Sequence, residues 1–334
     1  MAKKKVTMQD IADEVEVSKN TVSRALNNKE GVSDELRAKI KSVARKLGYK
    51  LKDKQKIKIA VLIKEKYFLE PTFYAKILAG IENRVRQNKI EISLTAVEPE
   101  SEADPHLPYN LEEAKIDGII TIGKLEKKFL NFLKERDFPV VLADYYEDDV
   151  EIDGVVMDNE RGIYLGLEHL RELGHKEIGF VGNIDYFPCF KHRYNKYRIM
   201  LCREGLKYKE EYNLIEGDKP FWDYKYLEQR IKELSTLPTA WVCTNDRTAI
   251  PLIKVMKNLG YEVPGDSSII GFDNVNKSHA IHPSLTTIHV PKQALGKRAV
   301  DKLLWRFKNS DYPVETTFVN TSLVVRDSTA QAAN

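Results

Sequence analysis

Lys19, Asn20 and Arg24 fall on one side of a short helical pattern, opposite Val22, Ala25 and Leu26. These side chains suit the edges of DNA bases: Arg or Lys pairs with guanine, and Asn pairs with adenine through two hydrogen bonds. Ser18, Thr21, Ser23 and Asn27 add hydroxyl and amide groups suited to phosphates, contacts that position a protein without reading sequence. An ordinary solvated helical face has the same look, so the charge around it decides. Residues 1–58 hold 16 Lys/Arg against 8 Asp/Glu, whereas the other 276 hold 37 against 42. That asymmetry points to a basic, nucleic-acid-binding head on a near-neutral body.

The head reads as three or four short helices between residues 7 and 48. Thr7-Met8-Gln9-Asp10 starts like a capping box, and Ile11, Ala12 and Val15 share a face. Ser18 can cap a second helix that runs to Leu26. Ser33 followed by Asp34-Glu35 opens a third, which turns Leu36, Ile40, Val43 and Leu47 inward and stops at Gly48. Residues 50–56, polar and mostly charged, form a linker.

Beyond Lys56 the period changes. Strand-like apolar runs recur at Ile57–Ile63, Ile90–Val97, Ile116–Ile122, Val140–Ala143, Val155–Met157, Ile178–Val181, Ala240–Cys243 and Ile269–Phe272. Helical patterns lie between them at Phe73–Gln87, Arg161–Leu173 and Ala249–Leu259. Alternation of this kind predicts βαβ units around mainly parallel sheets, and some 270 residues favour two lobes. The Pro- and acid-rich Glu98–Pro108 reads as a surface loop.

Composition excludes other classes. Hydrophobic residues make up 42% of the 334, too many for a disordered chain. No apolar run approaches the ~20 residues of a membrane span, and the basic start has no apolar stretch of a secretory signal, so a cytoplasmic protein with no membrane partner is expected. Cys189, Cys202 and Cys243 fit reduced, buried thiols. No GxSxG, HExxH or GxGxxG occurs, and Leu125 stands where a P-loop needs Ser or Thr. The acidic group Asp144, Glu147, Asp148, Asp149, Glu151 and Asp153 reads as a solvated loop, and the seven histidines lack ligand spacing. No catalytic residue, metal or cofactor is therefore expected.

Val6–Tyr49, with DIA, VSxxTVSRALN, VS and LGY in order, closely resembles the headpiece of the LacI/GalR family of transcriptional regulators. DGIITIG, LADYY, GLEHLRELGHKEIGFVGN, TNDRTAI, VPGDSSIIGFDN and PSLTTIHV extend the resemblance over nearly the whole chain. FYAKILAGIE and IDGIITIGK look like its galactose/β-galactoside branch. The resemblance implies a small all-α helix-turn-helix headpiece, residues 1–49, on a two-lobed α/β body like a periplasmic sugar-binding protein. The N-terminal lobe would take residues 57–158 and 288–320, and the C-terminal lobe 159–287 and 321–330.

It also implies function: a homodimeric repressor that binds double-stranded operator DNA and is released by a small sugar between the lobes. A corepressor type, whose ligand strengthens DNA binding, and a cytoplasmic sugar-binding module are the alternatives. By matching position, the effector would meet Phe73, Tyr74, Asp144, Arg193, Asn245 and Asp273, with Phe221 or Trp222 as a stacking aromatic whose spacing is off by a residue or two. Carboxylates, amides and an arginine pair with vicinal hydroxyls, while aromatic faces stack on a pyranose. Thr7 joins the DNA-contacting set, as do linker Lys52 and Lys54 through phosphates. The chain departs from the family in two places. Val15-Glu16 replaces Ala-Gly at the turn, which puts a non-Gly residue in a left-handed conformation. The segment after Tyr49 is too short, and too poor in apolar residues, for the family's hinge helix.

Overall fold

The computed structural model describes residues 6–26, 30–49, 56–68, 73–112, 114–217 and 219–332. Two compact units emerge, divided after Ile57. Asn27, Lys52 and Lys54, and nearly all of the linker, lie outside the described residues.

The first unit contains α1 (Met8–Val15), α2 (Lys19–Leu26) and α3 (Asp34–Leu47). Thr7 and Asp10 close the expected capping box, with the Thr7 N–H donating to Asp10 Oδ2 at 2.6 Å. The Ser33 hydroxyl accepts the Leu36 N–H at the start of α3. Ile11, Ala12, Val15, Val22, Ala25, Leu26, Ile40 and Ala44 form the core, and Leu36, Val43 and Leu47 pack at its edge. Glu16 ends α1 with φ 59°, the left-handed geometry that its family position requires. For a residue with a Cβ that conformation costs about 1–2 kcal/mol.

The second unit holds two six-stranded sheets. Its strands are β1 (Lys58–Lys64), β2 (Glu91–Val97), β3 (Gly118–Ile122), β4 (Val140–Ala143), β5 (Asp153–Met157), β6 (Ile178–Val181), β7 (Asn213–Leu214), β8 (Ala240–Cys243), β9 (Ser268–Asp273), β10 (Thr286–His289), β11 (Thr316–Val319) and β12 (Ser322–Val324). The orders are β11-β5-β4-β3-β1-β2 and β12-β10-β9-β8-β6-β7, parallel except for the β10–β12 pair. The helices are α4 (Glu65–Phe68), α5 (Tyr74–Gln87), α6 (Pro99–Ala103), α7 (Tyr109–Glu112), α8 (Lys127–Lys134), α9 (Asn159–Glu172), α10 (Pro188–Arg203), α11 (Tyr224–Lys232), α12 (Asp246–Asn258) and α13 (Lys292–Arg306). The chain crosses between the sheets after Met157, His289 and Val319.

Each sheet has its own core, built in one lobe on Leu62, Phe129 and Leu142 and in the other on Val181, Trp241 and Ile269. The central strands are buried on both faces, which is why they read as unbroken apolar runs. Glu98–Pro108, expected as a surface loop, lies largely at the surface but contains a short helix. Pro99 starts α6, and the buried Glu102 pairs with Lys64 at 2.6 Å and accepts the Glu126 N–H. The thiols also differ from expectation: Cys243 is buried, but Cys202 is exposed.

One close approach fixes the helices that feed the site. A Cβ on Gly80 of α5 would lie 2.2 Å from the Gln293 carbonyl oxygen, and one on Gly296 of α13 would lie 2.1 Å from that of Ile77. Backbone therefore meets backbone at two places, and only glycine permits it. Replacing Gly296 with Ala is expected to lower the body's stability by about 1–3 kcal/mol in denaturant unfolding, since neither backbone can move aside cheaply.

Candidate functional site

On α2, Lys19, Asn20 and Arg24 are exposed, and Val22, Ala25 and Leu26 are buried against α1 and α3. The structure thus puts the three base-reading candidates on the outer side of one rigid helix. The hydroxyls are more occupied. Ser18 Oγ accepts the Thr21 N–H at 3.0 Å and shares a 2.8 Å hydrogen bond with Thr21 Oγ1, and Thr7 is engaged in its capping box. A residue absent from the sequence reading holds this helix in place. Arg37 of α3 donates to the carbonyl oxygens of Ala25 and Val32, both at 3.2 Å, and thereby ties down the C-terminal end of α2.

The body's candidate site is a half-open cavity at the carboxyl ends of strands from both sheets. Ligands of open parallel α/β sheets bind in that location. Phe73 and Tyr74 enter from the start of α5, Asp144 from just beyond β4, and Asp273 from the end of β9. Asn245 caps α12 through Thr248, and Arg193 comes from α10. These six expected residues are brought together.

Phe221 and Trp222 are not. Phe221 is 1% exposed in the core of the second lobe, against Leu227 and Trp241. Trp222 packs edge-on to Tyr186 with ring centres 4.9 Å apart, and the Arg247 guanidinium lies 4.1 Å from its ring centre. The register slip noted in the sequence turns the first ring inward and the second onto these neighbours. The aromatic walls instead come from Phe187 and Phe190, aided by Tyr145 and Met157. Pro188 at the first position of α10 was the available sign that a helix start places both phenylalanines here.

Arg193 is 1% exposed and joins the lobes. Its Nε donates to Asn159 Oδ1 at 2.8 Å, Nη1 donates to the Thr244 carbonyl oxygen, and Nη2 approaches Met157 Sδ at 3.2 Å and Asp273 Oδ1 at 3.8 Å. The guanidinium lies flat over Phe272, 3.6 Å from its centre. Lys292, also buried, donates from Nζ to the Asp273 carbonyl oxygen, and burial lowers its pKa. Its position at the start of α13 carried no signal in the sequence. Lys76 Nζ reaches Asn276 Oδ1 at 2.9 Å, a second bridge between the lobes.

Burial controls the carboxyls. Asp144 is pushed up to about 8, first by loss of water and then by the charge of Asp273, with Arg193 and Lys292 opposing. Its backbone is left-handed, φ 70°. Asp246 is raised to about 7 by burial and Asp273, although it accepts the Val275 N–H at 2.8 Å and the Thr287 hydroxyl. The remaining acids of the expected loop have other roles. Asp153 is buried against Arg306, with Arg306 Nε 2.6 Å from Oδ2, whereas Glu151 pairs with Lys134 at the surface. Among the described residues no group of three metal-ligating side chains gathers, and no helix is long and apolar enough to cross a membrane.

The Asp144 shift has a definite sign. A carboxyl whose folded pKa lies above its ordinary value of 3.8 stabilises the fold at low pH, and that contribution is lost as pH rises toward 8. Replacing Asp144 with Asn removes the loss. The melting temperature of the variant, measured by calorimetry, is expected to exceed that of the parent by a margin that widens between pH 5 and pH 8.

Comparison with known proteins supports the same division of labour. Residues 7–51 match the lacI family of bacterial regulatory proteins, and residues 167–329 match a periplasmic binding protein-like domain. Catabolite control protein A of Priestia megaterium is 30% identical over 315 residues, covering 92% of this chain and 93% of that protein. The transcriptional repressor PurR of Aliivibrio salmonicida is 29% identical over 332 residues, covering 96% and 98%. The crystal structure of the lac repressor dimer bound to operator and the anti-inducer ONPF superposes with a TM-score of 0.70 at 26% identity, covering 98% of this chain and 100% of that one. With this head, this body and these relatives, the chain belongs to the lacI family of bacterial regulatory proteins and is a DNA-binding transcriptional regulator with an effector-binding body.

Proposed function

We propose that the chain is a homodimeric repressor that grips a pseudo-palindromic operator and lets go when a small sugar enters the cavity. The observation that carries this reading is the cavity itself: carboxylates, an amide and a buried arginine from both lobes converge beside the aromatic rings of Phe73, Phe187 and Phe190. That is the equipment for vicinal hydroxyls on one side and an apolar sugar face on the other. Because both lobes contribute, a ligand favours one closure state, and it shifts DNA binding by its preference for that state. The dimer follows the lac repressor, whose crystal structure is a dimer on operator. Linker lysines 52 and 54 would meet phosphates, each adding about −0.9 to the dependence of log K on log salt.

Sequence likeness puts galactose and β-galactosides first among the sugars to try. Fluorescence anisotropy with operator DNA, titrated with galactose, lactose and other neutral sugars, tests the proposal. Release at sugar concentrations that leave random DNA binding unchanged is the expected result. Tightening would make the protein a corepressor type, and no response to any sugar would remove the sugar reading.

Arg24 offers a separate test of the head. Replacing it with Ala is expected to cost about 1–3 kcal/mol on operator and to relax one operator position, as loss of a bidentate base contact does. Equal weakening on operator and random DNA would make Arg24 a phosphate contact only.

A further inference from the structure

The turn between α2 and α3 lies directly beside the side chain of Arg24. Gly31 in that turn has φ 86°, a backbone conformation that residues with a Cβ rarely adopt. A Cβ built on it would lie 3.0 Å from Arg24 Nη2, 3.2 Å from Cζ and 3.5 Å from Nη1. The planar end of Arg24 thus occupies the space that a side chain at position 31 would need. One residue holds both halves of this contact. Arg37 of α3 donates from Nη1 to the Arg24 and Ala25 carbonyl oxygens, at 3.4 and 3.2 Å, and from Nη2 to that of Val32, at 3.2 Å. The backbone that carries Arg24 and the backbone next to Gly31 are thereby tied to each other.

The kind of contact matters as much as its place. A carboxylate could steady a guanidinium, but it would occupy the N–H donors that a guanine needs. Among the described residues the Arg24 guanidinium makes no ion pair and donates no hydrogen bond, and its side chain is exposed. Gly31 restricts the arginine by contact alone and leaves those donors for the base. We propose, resting on the base-reading role of Arg24, that Gly31 is a positioning residue: by lacking a side chain it seats the guanidinium where it can pair with a base edge. A Cβ at position 31 displaces the guanidinium, because the far end of an arginine yields more easily than a tied backbone. The displaced side chain must then be ordered again on DNA, which costs on the order of tenfold in affinity. Phosphate contacts elsewhere on the head are untouched, so random DNA is bound as before.

A double-mutant cycle on the full chain tests this by fluorescence anisotropy. The probes are an operator that the parent protein selects from random duplexes, and an unrelated duplex. Gly31→Ala adds the Cβ alone, and Gly31→Asn adds it in a residue that tolerates a left-handed backbone better than most. Each variant is expected to bind operator about tenfold more weakly than the parent and the unrelated duplex equally well. Each should relax the operator position that Arg24→Ala relaxes, and its defect should vanish in the Arg24→Ala background. A loss of similar size in that background would overturn the proposal, since backbone strain acts whether or not the arginine is present. Operator binding equal to the parent's in both variants, or relaxation of a different position, would overturn it too. Loss of the head's helices in both variants, seen by circular dichroism, would assign Gly31 to folding alone and likewise overturn it. Equal weakening of both duplexes by Arg24→Ala would instead sink the base-reading role, and the proposal with it.

Discussion

A guanidinium taken out of water has to be repaid in hydrogen bonds, and Arg193 sets the terms for everything around the cleft. Its partners come from the start of α9, the end of β8, the end of β5 and the end of β9. Removing any one of them leaves part of a buried charge unmatched, a loss of several kcal/mol when a partner is fully withdrawn. Its neighbours therefore have little freedom of identity. Asn159 must present its side-chain oxygen and Phe272 the face of its ring, whereas the Thr244 carbonyl is main-chain and any residue there would supply it. Met157 belongs to the first lobe and Arg193 to the second, so the same side chain that walls the cavity also registers how the lobes meet.

The carboxyls illustrate how a low-dielectric pocket makes chemistry from ordinary residues. Asp153 and Asp144 lie nine positions apart in one acidic stretch; Asp153 is buried, and Asp144 is half-buried with its Oδ1 shielded from solvent. Asp153 is met by Arg306, Lys302 and the Glu315 N–H, and it works as a structural anchor at the start of β5, between β11 and β4. Asp144 has no such partner on Oδ1, and burial raises its proton affinity instead. The difference lies in the company that each keeps, which spacing along the chain does not reveal.

In the head, economy of size makes local signals decisive. A core of eight buried side chains among the described residues leaves little to spare, and caps at Thr7 and Ser33 set where helices begin. Glu16 accepts a strained left-handed turn so that α1 and α2 can cross in the helix-turn-helix arrangement. Arg37 then fixes the end of the helix that carries Lys19, Asn20 and Arg24. A base-reading surface depends on that rigidity, because bidentate pairing tolerates little displacement.

Much of this protein was legible in the residues alone, wherever a feature depends on neighbours in sequence. The helices of the head, their caps and the apolar central strands all follow from local pattern and from burial on both faces of a sheet, and the left-handed Glu16 follows from the family resemblance. Phe73, Tyr74, Asp144, Arg193, Asn245 and Asp273 were named because they match pocket positions of the family that the chain resembles. Tertiary structure alone decided what depends on distant chain segments. It sent Phe221 into the core and brought Phe187 and Phe190 to the cavity, because ring direction follows the local twist of a loop. It buried Glu102 beside Lys64, set Gly80 against the Gln293 main chain and Gly296 against that of Ile77, and placed Lys292 against the Asp273 carbonyl oxygen. Above all it withdrew water from Asp144. Solvation is a property of the folded surroundings, and no spacing in the chain encodes it.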